Sequence, residues 1–223
     1  MKLFFVLIIL LSELLFSQSL NEKEIIRKVQ AQIDKVEDFS VDAFVKVDME
    51  KVKVPNMSVS INYKRPDKFS IKSKNFALVP KEALGFNVLK LIKSYKYESI
   101  KKIKTDSAVF YEITYLKNIY DETIPSNLGL IINSSNYTIH EIKSYQERIS
   151  RIAKINFEYD KFENEIFLPS KCEIKFEIDT LSYSNKNIKG INKSFNGFVK
   201  ISYQNYQINK GLHDSLFVEK KSN

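Results

Sequence analysis

The sequence predicts a mainly β chain with helices (an α+β fold), in which an antiparallel sheet is large enough to curl into an open or closed barrel. Three observations predict it. Period-two alternation of apolar and polar residues recurs in about ten segments at hairpin spacing. Helical periodicity is confined to two early stretches. No repeat of solenoid length and no heptad pattern interrupts this arrangement. At 223 residues, 43% of them hydrophobic, the chain is long enough for one domain with a substantial core.

Met1-Lys2 precedes an apolar run from Leu3 to Phe16, followed by Ser17-Gln18-Ser19. A basic start, an apolar stretch and small residues beyond it are the layout of a secretory signal. The run is short for a permanent span, which needs about 20 apolar residues, and Glu13 interrupts it. Residues 1–19 are therefore expected to be removed, leaving residues 20–223 as a single exported domain. The net charge is +8. An exported basic protein excludes nucleic acid as an expected partner and points to anionic head groups or an acidic protein. The lysines are nevertheless spread along the chain, as on a solvated surface. Cys172 is the only cysteine, so no intramolecular disulfide forms. Its place on the apolar side of an alternating segment reads as core.

Leu20–Phe39 opens the exported domain. Ile25, Ile26, Val29, Ile33 and Val36 recur at helical spacing, and Asn21 with Glu24 three residues later forms an Asn variant of the capping box. An amphipathic helix of about five turns is expected, with its apolar stripe on the sheet. From Ser40 the period becomes two, through Val41, Ala43, Val45 and Val47. Met57, Val59, Ile61 and Tyr63 alternate with polar residues in the next strand. Parity then places Arg65 on the apolar face, and Pro66, lacking an N–H, ends the ladder. Phe69 and Ile71 resume alternation after an Asp67-Lys68 turn. A guanidinium there either reaches solvent or is met by a polar partner.

Phe76–Tyr97 is apolar but irregular. Leu84, Val88, Leu91 and Ile92 fit a short amphipathic helix beginning near Pro80, either a core helix or a movable lid. The remaining strands are Asp106–Lys117, Leu128–Asn133, Tyr137–Tyr145, Arg151–Asp160, Ile166–Leu168, Cys172–Ile178 and Gly197–Ile208. Ser182–Ser194, rich in Asn, Ser and Lys, reads as a long loop.

The chemistry of catalysis is sparse. His140 and His213 are the only histidines, and neither sits at metal-ligand spacing with Cys or acidic residues. His213-Asp214-Ser215 are adjacent in sequence, so their side chains point apart and form no triad by themselves. No nucleophile elbow, phosphate loop or dinucleotide fingerprint occurs. A non-enzymatic protein without metal or cofactor is expected.

Two stretches carry a family resemblance. Ile33-Asp34-Lys35-Val36-Glu37-Asp38-Phe39 resembles the helix-to-strand junction of the periplasmic lipoprotein carriers of the LolA family. Tyr63-Lys64-Arg65-Pro66-Asp67-Lys68-Phe69 resembles that family's K-R-P-x-x-F turn. Order and separation agree over roughly Leu20–Ile71, whereas the family's following D-G-x-x-L-W-x-Y segment is absent and the chain has no Trp. The resemblance implies a twisted antiparallel sheet forming an incomplete barrel, closed by an N-terminal helix and a lid helix over an apolar cavity. It gives Arg65 the role of a lid latch that governs cargo release. Because the family's lid segment is absent, the candidate lid is the stretch Phe76–Lys93, with Leu84, Val88, Leu91 and Ile92 on the apolar side of its predicted helix. The alternating faces then supply an acyl cavity lined by Val59, Ile61, Tyr63, Ile155, Phe157, Ile174, Phe176 and Ile201. The implied function is a monomeric periplasmic carrier of acylated lipoproteins or other lipids, moving between an inner-membrane donor complex and an outer-membrane acceptor. The alternative is an exported sensor or interaction module on the same half-barrel, binding a protein partner. N-terminal sequencing of the exported protein is expected to begin between Gln18 and Asn21. A native protein retaining Met1 would remove the export reading.

Overall fold

The computed structural model describes residues 21–49, 55–72, 88–117, 127–146, 151–178 and 195–218. The expected signal, Leu84 and the Ser182–Ser194 loop lie outside them.

A helix, α1 (Glu22–Ile33), is followed by β1 (Asp38–Met49), β2 (Met57–Lys64) and β3 (Lys68–Lys72). A single helical turn, α2 (Val88–Leu91), then leads through a 3₁₀ turn into β4 (Tyr95–Lys104) and β5 (Val109–Lys117). The strands β6 (Asn127–Asn133), β7 (Ile139–Gln146), β8 (Arg151–Lys161), β9 (Phe167–Ile178) and β10 (Phe195–Ile208) complete the sheet. The ten strands of the described residues form one antiparallel sheet, ordered β3-β2-β1-β10-β9-β8-β7-β6-β5-β4. The order places β10 beside β1, so the last strand joins the two halves of the chain. Among the described residues the sheet is open: β3 and β4 are its edges and do not pair with each other. Its curl still brings these edges near one another, since Lys90 of α2 meets Asp67 of the β2–β3 turn at 2.9 Å.

Register explains the core. Val47, Val199, Ile174, Ile155, Ile142, Leu130, Ile113 and Ile100 stand opposite one another across eight adjacent strands, from β1 to β4. Cross-strand neighbours on one face lie about 4.5–5.5 Å apart, so these residues form a continuous apolar row on the inner face. The next row on the opposite face runs Lys200, Glu173, Asn156, Glu141 and Ile131. Alternation therefore assigns one face to the interior and the other to water. Cys172 is buried in the inner face, and that burial pushes its thiol up to about 12, as befits a packing residue.

Four expectations need correction. The helix ends at Ile33 rather than extending to Phe39. Asp34 closes it, and Asp38 is drawn into β1 by bonds to the far end of the chain. Asn21 caps the N-terminus, accepting from the Lys23 amide at 3.0 Å, but Glu24 pairs with Lys28 at 3.0 Å instead of completing a capping box. β4 has no counterpart among the expected strands: a bulge between Tyr97 and Ser99 shifts its parity midway, and lysines obscure the alternation. Ile166–Leu168 and Cys172–Ile178 belong to one strand. Pro169 is tolerated within it because it stands opposite Tyr159, at a register shift between Glu158 and Tyr159.

The start of β1 is tied to the chain beyond β10. Asp38 is 4% exposed, and its carboxylate accepts from the amides of Lys210, Gly211 and Leu212 at 2.9, 2.9 and 3.1 Å. Gly211, at φ +76°, permits the turn that aims these amides inward. Asn209 completes the junction: its Oδ1 accepts from Glu37 N at 2.8 Å and its Nδ2 donates to Lys35 O at 3.0 Å. Asp38→Ala strands these donors and is expected to cost about 2–4 kcal/mol, with Asp38→Asn costing about half. Urea denaturation measures both, and an unchanged Asp38→Ala midpoint would show that the turn holds itself.

Candidate functional site

α1 is amphipathic and packs by its apolar stripe. Ile25 and Val29 are buried, with Ile26 and Ile33 packed partly against the same core. Its attachment to the sheet is otherwise polar and occurs at three points. At its first turn, Tyr115 Oη of β5 donates to Glu22 Oε1 at 2.8 Å. Burial and then this carboxylate push the phenol upward from its ordinary value. Midway, Lys28 Nζ donates to Tyr137 Oη at 3.1 Å and lies 4.9 Å from the centre of that ring. At its end, Arg65 Nη1 donates to Asp34 O at 2.8 Å and approaches Asp34 Oδ1 at 3.5 Å. The last carbonyls of a helix lack intrahelical partners and carry its negative end, so a guanidinium there satisfies both requirements.

Arg65 thus has a polar partner, but the position differs from the parity expectation. β2 ends at Lys64, and the Arg65 side chain, 43% exposed, lies beyond the buried face. Its amide donates to Glu37 O at 2.8 Å, which fixes the turn against the helix-to-strand junction. The partner of Arg65 is α1 rather than the described part of the expected lid, residues 88–93; residues 76–87 lie outside the described residues. The neighbouring Lys64 and Lys68 both bind Asp214, at 2.7 and 2.8 Å, and hold its carboxyl down at about 2. The two stretches that carry the resemblance therefore meet in space, together with Asn209–Asp214.

Between α1 and the sheet lies a small cleft of about 30 Å³ that opens to solvent. Val29, Ile33, Val36, Ile139 and Phe167 give it apolar walls. Gln32 also lines it, with a buried Oε1 that has no hydrogen-bond partner among the described residues. The cleft has room for about one water molecule, so a larger ligand would enter only if α1 moved.

The eight residues expected to line a cavity all lie on the buried side of their strands, but in two different environments. Val59, Ile61, Tyr63, Phe157, Ile174 and Ile201 are at most 3% exposed and packed into the core. Tyr63 is held between Phe39 and Phe69, with ring centres at 5.3 and 4.9 Å. Ile155 and Phe176 are only partly buried. In the lid set, Val88 and Ile92 are buried and Leu91 is partly so, with Leu84 outside the described residues.

The helix attachments at Glu22, Lys28, Tyr115 and Tyr137 leave no local signal in the sequence. Tyr115 reads as core by parity, and nothing nearby links it to a carboxylate 93 positions earlier. His140 lies against Phe110 at 5.0 Å between ring centres, and His213 Nδ1 is 2.9 Å from Ser215 Oγ. Among the described residues, no group of three or more His, Cys, Asp or Glu is placed to hold a metal ion.

No protein-family profile matches the chain, and neither does any curated protein. Solved structures do. A DUF1329 family protein from Desulfovibrio piger aligns with a TM-score of 0.58 at 14% identity, covering 88% of this chain and 96% of that one. A LolA superfamily protein from Nitrosomonas europaea aligns at 0.52 and 11% identity, covering 90% and 99%. A putative outer membrane lipoprotein-sorting protein domain from Vibrio parahaemolyticus aligns at 0.50 and 10% identity, covering 87% and 94%. At these identities the likeness is one of fold, and the fold of this chain is the open LolA-like half-barrel.

Proposed function

We propose that this chain is an exported, non-catalytic carrier that shields the acyl chains of a lipoprotein or another lipid on the inner face of its half-barrel. The observation that carries the reading is the continuous apolar row across eight strands, with a helix fastened beside it at three polar points. Apolar chains leave water with a gain of about 0.8 kcal/mol per CH₂, so a lipid crossing an aqueous gap needs such a surface. The LolA-like neighbours support this class of cargo. Ile155 and Phe176 are the expected first contacts, because they are the members of the predicted set that are only partly buried. The other six form the floor behind them. Arg65 acts as a latch on α1, and α2 closes the gap between the sheet edges. Donor and acceptor sites at the inner and outer membranes complete the proposal.

Purified, delipidated protein is expected to enhance the fluorescence of an apolar probe, and a long-chain fatty acid is expected to displace it. Ile155→Asp and Phe176→Asp should each abolish probe binding while leaving the circular dichroism of the sheet intact. Probe binding that survives both changes, or is absent from the wild-type chain, removes the carrier reading and favours a protein-binding module. Arg65→Leu removes the donors at the end of α1. It is expected to raise the population of lifted helix about fivefold, read as faster probe uptake in stopped flow. Wild-type uptake by the folded variant would leave Arg65 as a surface residue.

A further inference from the structure

Residues 88–117 carry seven lysines against three acidic residues, a net +4 within a chain of net +8. This segment forms the β4 edge of the sheet and its neighbour β5. The lysines of the other strands are largely neutralised: Lys143 and Lys154 on Glu141, Lys175 and Lys200 on Glu173, Lys171 on Glu158. On the β4 side, only Lys90 and Lys101 have acidic partners among the described residues. Lys93, Lys96, Lys102, Lys104 and Lys117 make no ion pair among those residues. Lys96 to Lys104 spans about 25 Å of strand. Lys96 stands opposite Leu116 on one face of the ladder, and Lys102 and Lys104 opposite Tyr111 and Val109 on the other, so these charges follow the edge of the sheet rather than lining a pocket.

Two apolar side chains are exposed along this edge. Tyr97 is 42% exposed and Leu116 is 37% exposed. They project from opposite faces of the β4–β5 ladder, since Tyr97 stands opposite Tyr115 and Leu116 opposite Lys96. A tyrosine and a leucine flanked by lysines, at the rim of a sheet, have the composition of a membrane-interface contact. The rings and methyl groups enter the head-group layer while the ammonium groups remain at the phosphates.

We propose that the β4 rim docks this protein on the surface of an anionic phospholipid bilayer. Charge complementarity selects the occupant. Flexible lysines along both faces of an exposed sheet edge, without a concavity or fixed acceptors, fit a mobile layer of phosphates better than a shaped acidic protein site. The β4 rim is separate from Ile155 and Phe176, and the proposal does not depend on the carrier reading.

Vesicle flotation tests it. The purified chain is expected to float with vesicles containing about one-third phosphatidylglycerol, and not with pure phosphatidylcholine, with binding lost between about 0.05 and 0.5 M salt. K96E/K102E/K104E should weaken binding about 100-fold. K23E/K46E/K210E makes the same change of net charge away from the rim and should stay within about threefold of wild type. If the triple reversal does not fold, K96Q/K102Q/K104Q gives the same test with a smaller expected loss. Tyr97→Ser with Leu116→Ser should weaken binding further at every salt concentration. Equal losses in the rim and control variants, equal binding to neutral vesicles, or capture by polyglutamate without vesicle binding would each overturn the proposal. Apolar-probe binding by the rim variants should remain at the wild-type level. Loss of probe binding in the wild-type chain with retained flotation would remove the carrier reading and leave this one standing.

Discussion

A buried carboxylate must be met by donors, and Asp38 is met by three backbone amides from the other end of the chain. Much of the architecture depends on that requirement. It brings the turn after β10 against the start of β1, so the first and last strands become neighbours in the middle of the sheet. It also pulls Asp38 out of the helical run, which ends α1 early and lets the chain reverse between Asp34 and Asp38. The C-terminal carbonyls of α1 then lie within reach of Arg65. A single buried carboxylate thus bears on the joining of the first and last strands, the length of the helix and the place where the helix is fastened.

The K-R-P turn divides its work by residue. Lys64 and Lys68 grip Asp214, Arg65 grips the end of α1, and the backbone between them follows the junction through Arg65 N and Glu37 O. Helix, sheet edge and C-terminal segment are thereby fastened to one another at a single corner. Each of these side-chain bonds is at least partly exposed, so each contributes little alone. Their value is geometric: they fix where α1 ends its path across the sheet. Away from this corner, α1 is held by two tyrosine contacts and a narrow apolar stripe.

How much of this is legible in the sequence depends on the range of the signal. Alternation is local, and it places every predicted cavity residue on the buried side of its strand. It fails at β4, where the Tyr97–Ser99 bulge moves Ile100 onto the face that parity assigns to its neighbours. The same counting puts Arg65 on the buried face, because the ladder stops one residue before it. Helical periodicity runs on through Val36, which is buried, although by then the chain is no longer helical. Asp38 illustrates the larger limit. Its sequence neighbours give no hint of amides more than 170 positions away, yet those amides determine its conformation. The attachments of Tyr115 and Tyr137 to α1 are of the same long-range kind.

The strength with which α1 is held matches the task proposed for it. Burial of Ile25 and Val29 contributes roughly 1.5–3 kcal/mol each, and the bond from Tyr115 to Glu22 adds about 1 kcal/mol. Lifting the helix therefore costs roughly 4–7 kcal/mol. At about 0.8 kcal/mol per buried methylene, roughly five to nine methylenes offset that cost. Under the proposed function, short apolar molecules would not displace the helix, whereas a full acyl chain would. The helix would also return once the chain is withdrawn, because its polar partners at Tyr115, Tyr137 and Arg65 are presented by the sheet and its turns rather than by α1 itself. On that reading, discrimination by chain length would follow from the number of contacts α1 makes, with no side chain dedicated to measuring the ligand.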